Sequence, residues 1–269
     1  MSLVITDDFY LQLTGECGEI IKPSYSRFMY KNFTKSITTS SHVYGYSGDL
    51  ALNQNTYQYW MPSSMPASAD VTLTESIEID YVAIGAHTIS SDSTVSIEYW
   101  DGSKYVGIQS KSNISKNAII FLFNPVSIDK VRITISDGLI PQVGVIYIGK
   151  SMVIPAPIDG GFLPFQFNQQ VKRSNNVSEG GHLLGSNVIR SSMKGEPSWS
   201  VTTKKWYREV FFDFYEAMCT GYAPSFFFAW NPELYPDDSY YCWCDPSNVK
   251  PKVNRQFMGF KVPMEAYID

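Results

Sequence analysis

Cys242 and Cys244 flank Trp243, and in a strand that spacing sets both thiols on one face. Together with Cys17 and Cys219 they could complete a four-thiolate metal or iron–sulfur site. Sites of that kind rest on C-x-x-C pairs or on histidines at fixed spacing, and neither occurs. The simpler reading is four free, mostly buried thiols. His42, His87 and His182 lie far apart in sequence. His87 follows a strand and would need an orienting carboxylate to act as a base. A ring bonded to backbone at the strand end is the simpler reading. Glu75, Glu78 and Asp80 fall on the outer, wet face of a strand and do not form a glycosidase-like pair. Asp237 and Asp238 sit in a proline-bounded turn and read as a solvated loop. Gly180 and Gly181 lack the strand–turn–helix setting of a phosphate loop. The residues predict no enzyme and no cofactor.

The aromatic side chains carry more. Tyr57, Tyr59 and Trp60 precede Pro62 in a loop-like region, and Trp100 ends a strand. Rings in the end loops of a sandwich are suited to stack on pyranose faces, with polar neighbours selecting hydroxyls. The alternative for Trp60 is a plug at one end of the sandwich, since a buried Trp contributes a large apolar area. From Phe226 to Trp230 the chain is apolar on both faces. That pattern predicts a strand covered by its own core on one side and by another subunit on the other. Phe226, Phe227, Phe228, Trp230, Trp243 and an N-terminal arm over 1–21 are the candidate contacts.

The elements that position these residues are strands. Ile77, Ile79 and Tyr81 alternate with Glu78 and Asp80, and Val95, Ile97 and Tyr99 alternate with Ser96 and Glu98. A period of two means one buried and one wet face. Asp101 and Gly102 supply a tight turn. Further strands are expected at 71–73, 105–108, 118–123, 130–135 and 144–149, with turns at Asn124–Pro125 and Asp137–Gly138. Short strands so spaced predict a sandwich or jelly roll over 22–152. Two prolines and two glycines between Val153 and Gly161 place a boundary there. Over 153–269 strands are expected at 163–171, 188–193, 199–202, 225–230, 240–244 and 257–266, with a polar loop over 174–185. One helix is expected over 204–220, capped by Thr202 or Thr203 and stopped by Gly221. The expected class is all-β with one helix in the C-terminal half.

Composition narrows the function classes. Charged residues make up only 17% and aromatics 15%, which suits a β-rich protein that works against proteins or sugars. A net charge of -5 argues against nucleic acid, which requires clustered Lys and Arg. No apolar run is long enough to span a membrane. The start lacks a basic segment followed by an apolar run, so the product is expected to be made in the cytoplasm.

Several of these segments, in order, resemble a recurrent tail-tip or baseplate protein of long-tailed bacteriophages with a discoidin-like front half. Tyr57, Tyr59, Trp60 and Pro62 are similar to its aromatic element. Asp80 to His87 resembles its next strand, and Glu98 to Gly102 its hairpin. Val143 to Lys150 resembles its closing strand. Ser178 to Gly181, Ser198–Trp199, Trp206–Tyr207, Phe227 to Pro232, Tyr235–Pro236 and Tyr241 to Trp243 continue the likeness to about residue 265. Thr88 stands where that family commonly has Asn. The resemblance implies a galactose-binding-like jelly roll followed by a tail-tube-like or distal-tail-like domain packed on the helix. It implies a virion component made in the host cytoplasm, built from several copies through the second domain, with other tail proteins as partners. The alternative is a module that binds host-surface carbohydrate through Tyr57, Tyr59, Trp60 and Trp100.

Overall fold

The computed structural model describes residues 3–5, 15, 17–221 and 224–268. The strands run β1 (Leu3–Ile5), β2 (Arg27–Met29), β3 (Thr34–Thr39), β4 (Ala67–His87), β5 (Thr94–Trp100), β6 (Tyr105–Lys111), β7 (Ile119–Ser136), β8 (Val143–Gly149) and β9 (Met152–Val153). They continue with β10 (Gln169–Val177), β11 (Leu183–Gly195), β12 (Ser198–Thr203), β13 (Ser225–Ala229), β14 (Ser239–Trp243), β15 (Lys252–Asn254), β16 (Phe257–Lys261) and β17 (Met264–Ala266). Among the described residues the chain is all-β apart from one helix and short 3-10 turns, and its front half is a jelly-roll sandwich.

Two long strands make that sandwich. The first parts of β4 and the last of β7 pair over Ala67–Thr72 and Lys130–Ile135, flanked by β3 on one side and β5–β6 on the other. Both strands then bend, with register shifts between Thr72 and Ile77 and between Ile79 and Tyr81. Beyond the bend, Tyr81–Ile84 pairs with Ile119–Leu122, with β8 outside β4 and β1 parallel outside β7. Asn124–Pro125, expected as a turn, lies within β7. Asp80 alone faces Phe123–Pro125 across the ladder, so the proline sits at a bulge, where its missing N–H costs no ladder bond. Val71, Ile97, Val131 and Ile133 meet Val82, Ile84, Phe121 and Ile146 in the core between these two layers. The alternation in β5 holds as expected: Val95 and Ile97 are buried, while Ser96 and Glu98 face outward. The hairpin turn also holds: Gly102 has φ +97° and the Asp101 carboxylate accepts from the Ser103 and Lys104 amides at 2.8 Å.

A third sheet in the order β10-β11-β17-β14-β13-β2-β9 lies over the β1-β7-β4-β8 layer. Phe227, Tyr241, Met29 and Ala229 fill the space against Tyr81, Ala83, Leu122, Val145 and Tyr147. On the other face of the same strands, Phe226 and Phe28 pack against Phe214 of the helix, and Phe228 packs against Phe28 and Phe165. The run from Phe226 is therefore covered on both sides by its own chain: by the jelly roll at Phe227, by the helix at Phe226, and by Phe28 and Phe165 at Phe228. The expectation that another subunit covers it is corrected, because a sheet inside the same chain leaves the same apolar pattern. Trp230 is half-buried and held within its own chain, stacked on Tyr235 at 4.6 Å and donating to Asp238 at 3.0 Å. β2 comes from the stretch assigned to the front module, yet it pairs with β13. Of the arm over 1–21, residues 1–2, 6–14 and 16 lie outside the described residues.

The helix runs 204–219 with a π-turn at Tyr207–Phe211 between α-helical Lys204–Trp206 and Phe212–Cys219. Thr203 caps it, its hydroxyl accepting from the Trp206 amide at 3.1 Å, and Gly221 follows with φ +72°. The extra residue in the π-turn lets the adjacent Trp206 and Tyr207 both reach the core with Phe211, Phe214 and Met218. The polar loop expected over 174–185 is mostly strand. β10 and β11 form a long hairpin, and only Met193–Gly195 at its base pairs onward to β17. Among the described residues, no helix is long and apolar enough to cross a membrane.

Candidate functional site

The aromatic residues singled out by sequence do not converge. Trp60 is fully buried in the sandwich core, and its indole N–H donates to the Ser41 carbonyl at 3.0 Å. Its backbone bridges Val143. It is the plug, which removes it from the stacking set. Tyr59 stacks on Tyr46 at 4.8 Å, with planes 13° apart. Trp100 lies at the end of β5, packed edge-on against Tyr105, whose ring also carries the Arg132 guanidinium at 3.7 Å. Arg132 is held by Asp70 through two bonds of 2.6 and 2.8 Å, and this pairing lowers the Asp70 pKa.

Tyr57 is different, being 74% exposed. It lines a groove of about 540 Å³ with Gln54, Asn55 and Thr56 on the jelly-roll side and Pro224, Ser225, Tyr241, Trp243 and Asp245 on the other. The size is that of a small-ligand cleft. Trp243, expected at a subunit interface, is only half-buried and forms part of this wall. The groove is held in shape by bonds between the two halves of the chain. The Tyr241 hydroxyl donates to the Gln54 carbonyl at 2.9 Å, and the Ser225 hydroxyl to the Gln54 side chain at 3.2 Å. Asn53 and Asn55 both donate to the Gln58 side chain, fixing the loop that carries Tyr57. Asp245 accepts from the Ser247 amide at 2.9 Å, and the Ser247 hydrogen bonds keep its carboxyl below its ordinary range. The groove thus offers two aromatic rings from distant segments, amide groups and one ionised carboxylate.

The remaining candidates make their contacts within the fold. Asp80, expected on a wet face, is buried, because the third sheet covers that end of β4. It accepts from the Ser151 amide at 2.7 Å and hydroxyl at 2.8 Å, with the buried Arg27 guanidinium bonded to the same serine at 3.2 Å. Burial pushes its carboxyl up to about 6, against the pull of Arg27 and these bonds. Asp238, expected in solvent, is buried between Trp230 and Tyr240. His87 is buried, with Nε2 at 3.0 Å from the Asn117 carbonyl and Nδ1 accepting from the Ile89 amide at 3.2 Å. Cys242 and Cys244 pack in the core and burial raises both thiols, Cys244 to about 12. Cys17 donates to Glu209 at 3.4 Å and Cys219 is exposed. Among the described residues, no three metal-ligating side chains gather.

No protein-family model matches this chain, and no curated protein matches it. Solved structures do. A pectin-binding carbohydrate-binding module is 17% identical, with 44% of this chain and 91% of that one covered and a TM-score of 0.38. A chitosan-binding module from a Paenibacillus sp. IK-5 chitosanase/glucanase, in complex with chitotriose, is 16% identical over 44% of this chain and 98% of its own, with a TM-score of 0.38. The module CpGH89CBM32-5 from Clostridium perfringens, in complex with GalNAc-beta-1,3-galactose, is 15% identical over 42% and 94%, also at 0.38.

Proposed function

We propose that the chain is a carbohydrate-binding protein and that the groove between Tyr57 and Trp243 receives the sugar. The observation that carries this reading is the pairing of two accessible aromatic rings with Asn55, Gln54 and Asp245 in one cleft of ligand size. Pyranose C–H faces lie against the rings, and hydroxyls donate to the carboxylate and exchange bonds with the amides. A receptor for host-surface glycan is the corresponding biological role. Screening on a glycan array followed by calorimetry tests it. Tyr57→Ala and Trp243→Ala are each expected to weaken binding about tenfold or more. Asn55→Ala, at an exposed position, is a milder variant, because Asn53 still donates to the Gln58 side chain at 2.9 Å. Binding to no glycan, or affinity unchanged in all three variants, would remove the reading.

A second reading is favoured by the β10–β11 hairpin. All nine residues of β10 are exposed, and Val177, Leu183, Leu184, Val188 and Ile189 present apolar side chains to solvent. A two-stranded ribbon is at best marginally stable alone in water. We infer that copies of this chain, or other tail proteins, cover it in a multi-copy assembly, as a phage tail-tip component would require. Light scattering checks this. Shortening the hairpin by joining Gln170 to Ser192 through a two-residue turn is expected to convert an oligomer into a monomer of unchanged melting behaviour. A monomeric full-length chain would count against self-assembly.

A further inference from the structure

The groove beside Tyr57 shares Trp243, Cys244 and Asp245 with a second, larger cleft of about 690 Å³. Its lining changes character. Lys194, Lys250, Lys252 and Lys261 line it together with Glu196, Asp245 and Glu265, a slight positive excess within a chain whose net charge is -5. Two of the four are neutralised locally, since Lys194 pairs with Glu265 at 3.2 Å and Lys261 pairs with Glu196. Lys250 and Lys252 are exposed, straddle Pro251, and their ammonium groups have no ion-pair or hydrogen-bond partner among the described residues. Two ammonium groups thus remain unpaired in a cleft that shares Trp243 with the groove.

We infer that the ligand is an acidic glycan, whose anionic substituents reach Lys250 and Lys252 while a neighbouring sugar lies on Trp243. This rests on the carbohydrate reading of the adjoining groove. The carboxylates of Glu196, Asp245 and Glu265 decide between polyanions. They repel the closely spaced phosphates of a nucleic acid, whereas a glycan with widely spaced charges presents hydroxyls to them. Exposed pairs of this kind are modest and screened by salt, so the contribution is one of selectivity more than of affinity.

The test uses the full chain and an array of oligosaccharides in matched pairs, each uronate against its methyl ester and each sulfated sugar against its unsulfated form. The acidic member of a bound pair is expected to bind about three- to thirtyfold more tightly at low salt. That preference is expected to vanish in Lys250→Gln/Lys252→Gln and in high salt, with neutral-sugar binding retained. Equal binding of both members overturns the inference and leaves the groove reading intact. No binding to any sugar overturns both. A charge-matched oligonucleotide that binds as tightly as the acidic sugar, without loss in Trp243→Ala, overturns it in favour of nucleic acid.

Discussion

Replacing Phe227 with alanine is expected to cost about 3–5 kcal/mol of unfolding free energy, the range for deleting a fully buried ring. The ring lies between layers, edge-on to Tyr147 at 5.4 Å and tilted against Tyr241 at 4.9 Å. It also fills the space in front of Gly85, where an added Cβ would stand 2.9 Å from it. Collapse of the cavity would require the third sheet to approach β4 and β8, and both are already close-packed. Phe257→Ala, on the exposed side of β16, is the control and is expected to stay within about 0.5 kcal/mol. Urea denaturation measures both. The parent chain is expected to unfold in one transition, because the front half has no solvent-compatible face without Phe227 and Tyr241 over it. Two separated transitions, or a loss below about 1 kcal/mol for Phe227→Ala, would show that the layers are held by something else.

The second large effect is expected at Gly149, where β8 ends. A Cβ there would be driven into the Lys31 backbone carbonyl, which also accepts from the Tyr81 hydroxyl at 2.6 Å. Backbone on one side and a buried tyrosine on the other leave nothing to yield. Gly149→Ala is expected to cost at least about 3 kcal/mol, at the upper end for overpacking, and to reduce soluble yield. Gly107→Ala in β6 meets open space and is expected to be neutral or slightly stabilising. Comparable melting temperatures for the two variants would refute the close approach.

How far the sequence could be read depended on how many faces of a strand are covered. β5 has one wet face, so its alternation gave both the strand and its orientation. The second part of β4 and the whole of β13 have none, and their continuous apolar runs announce double coverage without naming what covers them. That is why Phe226 to Phe228 suggested a subunit interface, and why Asp80 looked like a surface residue although Arg27 and Ser151 enclose it. The helix was legible because its apolar spacing, its Thr203 cap and Gly221 agree, while the π-turn leaves no mark in a three-to-four-residue pattern. Within the β10–β11 hairpin, 174–185 reads as a loop because none of those residues is buried and so the segment carries no periodicity, whereas strands are expected at 163–171 and 188–193. At the groove, Tyr57 and Trp243 could each be picked out as aromatic. Their meeting depends on the Gln54 bonds to Ser225 and Tyr241, a long-range contact that no local spacing encodes.

The layer shared by the jelly roll and the third sheet also bears on inheritance. A module joined to its neighbour by a flexible linker can be exchanged between genes with little consequence for either side. Here Tyr147 and Ala83 on one side must match Phe227 and Tyr241 on the other, and β2 from the front of the gene completes the rear sheet. A recombinant carrying a foreign front half would meet an unmatched surface and a missing strand. The two halves are therefore expected to be inherited as one unit, with exchange tolerated only where both sides of this layer change together.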